Sequence, residues 1–216
     1  METKQTPLAL DGVYDNIYAG FGPRLGSMLL DLVFVLPVSF AILYANRLGL
    51  YIHLVTLVPS LLFSLWYHVY LTKRNGGTPG KTVLNLKVIR IDGNPIGWRE
   101  AILRHIVLFA LTMLSTVMMV ISIFQADADV FNSLDGDWLK QAQYLGSFHP
   151  NFNTFYMWAT NIWVYSELIV MLTNKRKRAI HDYIAGTVIV KAQYAAKIWD
   201  TMYQPTSPEP EDGEGI

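Results

Sequence analysis

The chain has 216 residues, no cysteine, 17 basic and 17 acidic side chains, 52% hydrophobic residues and 16% charged ones, where a soluble domain carries roughly a quarter charged. With a mean hydropathy of +0.27, that deficit points to residence in a membrane. Absence of cysteine excludes disulfide frameworks, thiolate metal sites and thiol nucleophiles, and zero net charge argues against a nucleic-acid partner.

Residues 1–17 form a polar N-terminal segment without the basic n-region of a cleavable signal. Four apolar stretches follow, at about 25–45, 48–71, 106–124 and 154–172. Each has the roughly 17–25 residues needed to cross about 30 Å of hydrocarbon. The expected class is therefore an all-α membrane protein with four transmembrane helices.

Orientation follows from the bases near the spans. Lys73, Arg74, Lys81, Lys87, Arg90, Arg99 and Arg104 lie between the second and third stretches, and Lys175, Arg176, Lys177 and Arg178 follow the fourth. Both regions are expected in the cytoplasm, as are both termini. The connection 125–153 carries Asp127, Asp129, Asp135 and Asp137 against Lys140 alone, and is expected outside.

Within the second connection, Val83 to Ile91 is rich in β-branched residues and runs into Asp92-Gly93-Asn94-Pro95, a turn signal. Thr187 to Val190 has the same character. An isolated hairpin is marginal in water, so the two segments are expected to pair as a small cytoplasmic β-hairpin or sheet. The tail, 192–216, is expected to be disordered from about 204, where Pro and acids dominate.

Asp31 is the sharpest chemical feature, because an acid within a spanning helix is costly unless paired, protonated or hydrated. Arg24 precedes it by seven positions, about 10 Å along the axis and on nearly the same face. Glu167 lies at a similar depth in the fourth stretch. His68 lies three residues before the end of the second stretch, and Arg104 with His105 opens the third. Two readings stand: a hydrated cation or proton site with Asp31 and Glu167 as carriers, or a structural polar network. Lys175 to Arg178 reads as an anionic-lipid patch, with one arginine of the run available to Asp31 or Asp182.

Gly76-Gly77-Thr78-Pro79-Gly80-Lys81-Thr82 fails as a phosphate loop: the first motif glycine would fall on Asn75, and Pro79 has no amide hydrogen. It reads instead as a tight turn, with Lys81 facing headgroups or an acid. His181-Asp182 lacks further ligands at metal spacing. No catalytic set appears, so neither an enzyme, a cofactor nor a metal site is expected.

Three ordered motifs now stand together: Gly20-Phe21-Gly22-Pro23-Arg24-Leu25 with Leu29-Leu30-Asp31; Gly77-Thr78-Pro79-Gly80-Lys81 with Val83 to Val88, Asp92-Gly93 and Arg104; and Arg178 to Val190 around His181-Asp182. Over roughly residues 18–191 the chain resembles the RDD family of bacterial membrane proteins, whose arginine and two aspartates fall on Arg24, Asp31 and Asp182. It departs at Gly22-Pro23, where an aromatic and a basic residue are common, and in its longer connection 125–153. The resemblance implies a multi-pass protein of the bacterial inner membrane. For some members it implies exchange of a monovalent cation for protons. Joined to the reading of the ionisable groups above, this gives an expected site with Asp31 and Glu167 as carriers, supported by Arg24, Arg104, Asp182 and His68. Four helices are few for a carrier, so a homo-oligomer is expected. The rival class is a non-transporting scaffold that binds a partner protein at the external loop or the cytoplasmic face.

Overall fold

A computed structural model describes residues 5–203; the stretch from 204, expected to be disordered, lies outside the described residues. Helix α1 (Phe21–Asn46) starts from extended Gly20 and takes Pro23 in its first turn, where the missing donor costs nothing. It begins earlier than the apolar run alone implies, because that turn lies at the polar end of the span.

The second helical stretch is composite. Helix α2 (Ile52–Leu65) passes into a π-helical turn (Trp66–Tyr70) and α3 (Leu71–Asn75). Gly76, left-handed at φ 75°, stops it, and the short α4 (Pro79–Val83) starts on Pro79.

Strand β1 (Leu86–Arg90) then pairs antiparallel with β2 (Thr187–Lys191), Leu86 opposite Lys191 and Arg90 opposite Thr187. The expected pairing of these two segments is thus present. The Asp92–Asn94 turn is closed by Arg90 N–H donating to the Asn94 carbonyl at 2.9 Å, with Gly93 at φ 83°. Beyond it the return strand shrinks to a single bridge at Pro95, since proline supplies no ladder donor.

Helix α5 (Trp98–Gln125) starts eight residues before the expected span, because Glu100 turns back to accept the Gly97 N–H at 2.9 Å. The connection 125–153 folds as α6 (Ala128–Asn132) and α7 (Trp138–Ser147), whose N-caps are Asp127 and Asp137. Phe131 and Leu145 pack there with Leu50 and Ile123, closing one end of the bundle. Helix α8 (Pro150–Thr173) follows, then α9 (Ile180–Ala185) and, after β2 and a single 3₁₀ turn, α10 (Ala195–Tyr203).

The stretches Phe21–Asn46, Ile52–Val83 and Trp98–Gln125 are long and apolar enough to cross a membrane. Four were expected. Helix α8 has the length, 24 residues, but Asn151, Asn153 and Asn161 dilute its first half.

The sheet closes the opposite end of the bundle. Alternation along β2 turns Val188 and Val190 to one side, packed with Leu10, Ile17, Tyr18, Ile198 and Met202, while Ile189 faces Leu86, Val88, Val69 and Ala101. The N-terminal segment forms a third edge, with Ala19 N–H donating to the Ile189 carbonyl at 2.9 Å and Lys191 N–H to Ile17 at 3.0 Å. Both described ends of the chain therefore meet at this sheet, and the ordered domain includes parts of the segments before 18 and after 191.

Candidate functional site: two carboxylate centres and a polar cavity

Asp182 sits on the first turn of α9, fully buried. Arg24 Nη1 donates to its Oδ2 at 2.9 Å and Arg104 Nη1 to its Oδ1. Ala179 N–H adds a third bond at 3.0 Å. Neither arginine ends there: Arg24 Nε donates to the Ala19 carbonyl at 3.0 Å and Nη2 to Lys177 at 2.5 Å, and Arg104 Nη1 also reaches Thr187 Oγ1 at 2.5 Å. One carboxylate thus joins α1, α5, α9 and β2. Burial pushes the Asp182 carboxyl up, but the Arg104 and Arg24 guanidiniums and the Ala179 N–H outweigh it and hold the group well below the ordinary carboxylate range.

Glu167 extends this centre. His181 N–H donates to its Oε1 at 2.9 Å, and Arg104 Nη2 lies 3.0 Å from His181 Nε2. Nε2 must then accept, which assigns the ring proton to Nδ1, 2.6 Å from Glu167 Oε2. That approach is close but misaligned, and Oε2 has no well-directed donor among the described residues. The order is Glu167, His181, Arg104, Asp182, Arg24.

Asp31 forms a separate centre. Tyr67 OH donates to Oδ1 at 2.7 Å, Gly80 N–H to Oδ1 at 2.8 Å and Thr78 Oγ1 to Oδ2 at 2.6 Å. Lys81 Nζ stands 3.9 Å from Oδ2, within electrostatic reach of Arg104, Arg24 and Asp182. The partner of Asp31 is therefore this lysine and the glycine-rich turn, not an arginine of the 175–178 run. Gly80 is required for the fit: a Cβ there would lie 2.2 Å from the Ser27 carbonyl and 2.8 Å from Asp31 Cγ.

The structure distributes the expected site residues between these centres. Arg24, Arg104, Asp182 and Glu167 gather around α9; Asp31 and Glu167 share no hydrogen-bond partner. His68 touches neither carboxylate. Its ring stacks on His105 at 4.8 Å and meets Tyr67 edge-on at 5.2 Å. Thr78 and Gly80 as Asp31 partners are signalled in the sequence by the turn motif alone, and Tyr67, which lies in the π-helical turn, is not signalled at all. The basic run is also largely consumed internally. Arg176 Nε donates to Thr6, Lys177 Nζ to Leu172, and Arg178 to Thr187 and Asp182 carbonyls, which leaves Lys175 exposed.

A polar cavity of about 260 Å³ lies among α1, α2, α5 and α8, lined by Asn46, His53, Thr56, Ser60, Ser64, Thr112, Ser115, Thr116 and Tyr156 alongside apolar side chains. From its wall Ser64 Oγ lies 3.4 Å from His105 Nε2, and His105 carries the path to His68. Polar groups thus run from the loop end of the bundle to the ring of Tyr67, which bonds Asp31. Among the described residues no group of three or more His, Asp or Glu has metal-holding geometry.

Neither a curated protein nor a solved structure matches the chain. The RDD family model matches residues 18–186, which takes in Arg24, Asp31, the glycine-rich turn and Asp182. With its apolar spanning helices and the arginine and two aspartates placed at the sheet end of the bundle, the chain belongs to the RDD family of membrane proteins.

Proposed function

We propose that this RDD-family chain is a four-span protein of the bacterial inner membrane, sheet and termini in the cytoplasm, that exchanges a monovalent cation for protons. The supporting observation is the polar line through the bundle: the cavity, then Ser64, His105, His68 and Tyr67, ending at Asp31. Polar and ionisable groups at membrane depth are costly, and characteristically line ion or proton pathways. Asp31 is the switch in this reading. Its charge holds Lys81 and the α4 turn against α1; a proton on the carboxyl cancels that charge, and a cation competes with Lys81 for it. Either arrival loosens the turn, so each excludes the other and the two fluxes are coupled. With four helices, assembly as a homo-oligomer belongs to this reading.

The test is cation-dependent proton movement in vesicles holding the purified full chain. Flux abolished in Asp31→Asn and in Ser60→Leu, which plugs the cavity, is expected. No flux from the folded wild type would sink the transport reading.

A second reading is favoured by one observation: every oxygen of Asp31 and Asp182 is already engaged by a fixed donor. On it the chain is a non-transporting scaffold for a partner protein, and both aspartates are bolts. Asp31→Asn would then lower folded yield while the wild type shows no flux.

A further inference from the structure

A second cavity, about 620 Å³ and almost wholly apolar in lining, opens on the side of the bundle between the π-helical turn and α5. Trp66, Val69 and Tyr70 form one wall and Trp98, Ile102 and Phe109 the other. The π turn makes this possible: within five residues it sends Tyr67 inward to Asp31 while Trp66 and Tyr70 face the groove. From Trp98 to Phe109 the groove runs about 16 Å along α5. Half of a bilayer's hydrocarbon is about 15 Å, so its depth is that of one leaflet.

The two ends differ in charge. The deep end is Leu65 and Phe109. At the sheet end Lys73 Nζ lies 5.3 Å from the Trp98 ring centroid, and Arg74 Nη1 donates to Tyr70 OH at 3.1 Å. Lys73, Arg74 and Arg99 are all exposed there. The nearest acid in sequence, Glu100, is buried and turned back onto Gly97 N–H, so it does not offset them. Aromatic rings beside cations at one end of a leaflet-deep apolar slot match an acyl chain joined to a negative headgroup. The 175–178 run, spent mostly on backbone carbonyls, offers no comparable surface.

We propose that this groove binds one anionic phospholipid of the sheet-side leaflet, its acyl chain between the π turn and α5 and its phosphate held by Lys73 and Arg74. The bound lipid covers the face of α5 that carries Ile102, His105 and Phe109, and so shields the polar line at His105 from the surrounding hydrocarbon. This assignment is independent of whether anything is transported.

The experiment uses the full chain in phosphatidylcholine nanodiscs containing a small fraction of phosphatidylglycerol brominated on its acyl chains, which quenches tryptophan on contact. Brominated phosphatidylcholine at the same fraction is the reference. Stronger quenching by the anionic lipid is expected, lost in Trp66→Phe/Trp98→Phe. Lys73→Gln/Arg74→Gln should weaken that preference roughly tenfold or more, whereas Lys175→Gln keeps it. Monodisperse elution establishes that each variant is folded. Equal quenching by the two lipids in the wild type overturns the proposal without recourse to any variant. So does a preference that survives Lys73→Gln/Arg74→Gln but disappears with Lys175→Gln. Groove tryptophans shielded from both lipids in a stable dimer would assign the surface to a second copy and overturn it equally.

Discussion

Asp182 joins separate elements, because its two oxygens are the meeting point of Arg24, Arg104 and the start of α9. Removing one partner from a buried ion pair costs about 3–5 kcal/mol, since the remaining charge stays desolvated. Asp182→Asn leaves two arginines in that position, and a large fall in unfolding temperature in detergent is the expected result. The pH dependence has a definite sign. The folded carboxyl titrates well below its ordinary value, and the unfolded one near 3.9. Its stabilisation is complete above about 4 and is lost as pH falls toward the folded value. The gap in unfolding temperature between wild type and Asp182→Asn should therefore stay constant from neutral pH down to about 5 and narrow below about 4. Gly80 offers a steric counterpart. A methyl group there meets the Ser27 backbone carbonyl, which cannot swing aside as a side chain would, so Gly80→Ala should cost about 1–3 kcal/mol. Gly22→Ala, with nothing within 4 Å of its added Cβ, should leave the unfolding temperature nearly unchanged.

Among elements, β2 and α10 show how a short amphipathic piece is stabilised by what lies beneath it. Val188 and Val190 are wholly buried, and much of their cover is Ile198 and Met202 of α10. Lys197 Nζ ties the helix to the Asp11 carbonyl at 2.5 Å, and Tyr203 OH ties it to Asp92 at 2.8 Å. A nine-residue helix is too short to persist on propensity alone, so tertiary burial must supply its stability. Ile198→Ala should cost about 2–5 kcal/mol and expose the sheet to limited proteolysis. Trp199→Ala, 43% exposed in the same turn, should do far less. The two strands are legible in the amino-acid sequence because β-branched runs bounded by a turn signal have few alternatives. The membership of α10 in the same core is not legible there: Ala195 to Tyr203 has no partner in its own sequence neighbourhood, and the valines it covers are set in place by β2.

At the scale of the whole molecule, the cavity and the His105, His68 and Tyr67 rings lie between the folded loop around Phe131 and the sheet. Only flux along the complete path distinguishes a carrier from a bolted scaffold. Ser60→Leu and Asp31→Asn alter opposite ends of that path. Loss of flux in both, with folded yield retained, is the signature of transport along one route. Reduced yield in Asp31→Asn alone, against a silent wild type, is the signature of the scaffold.

By itself the amino-acid sequence pointed to membrane residence, the apolar stretches, the pairing of a strand within 83–91 with one at 187–190, and Asp31 as an acid inside a span, each from a local property: apolar length, β-branched runs, or an ionisable group where hydrocarbon penalises it. Arg24 and Asp182 stood out by their place in the family's motifs. Tertiary structure alone decided the partners. That Asp31 is met by Tyr67, Thr78, Gly80 and Lys81, that Glu167 turns to His181, and that Asp182 takes two arginines all depend on helix rotation. So does the polar line formed by side chains of four helices. A rotation of 100° per residue converts a small phase error into a different neighbour, and sequence spacing across separate helices does not set that phase. Packing does: Gly80 against Ser27, the π turn swinging Tyr67 inward, and the sheet seated on Val69 and Ala101.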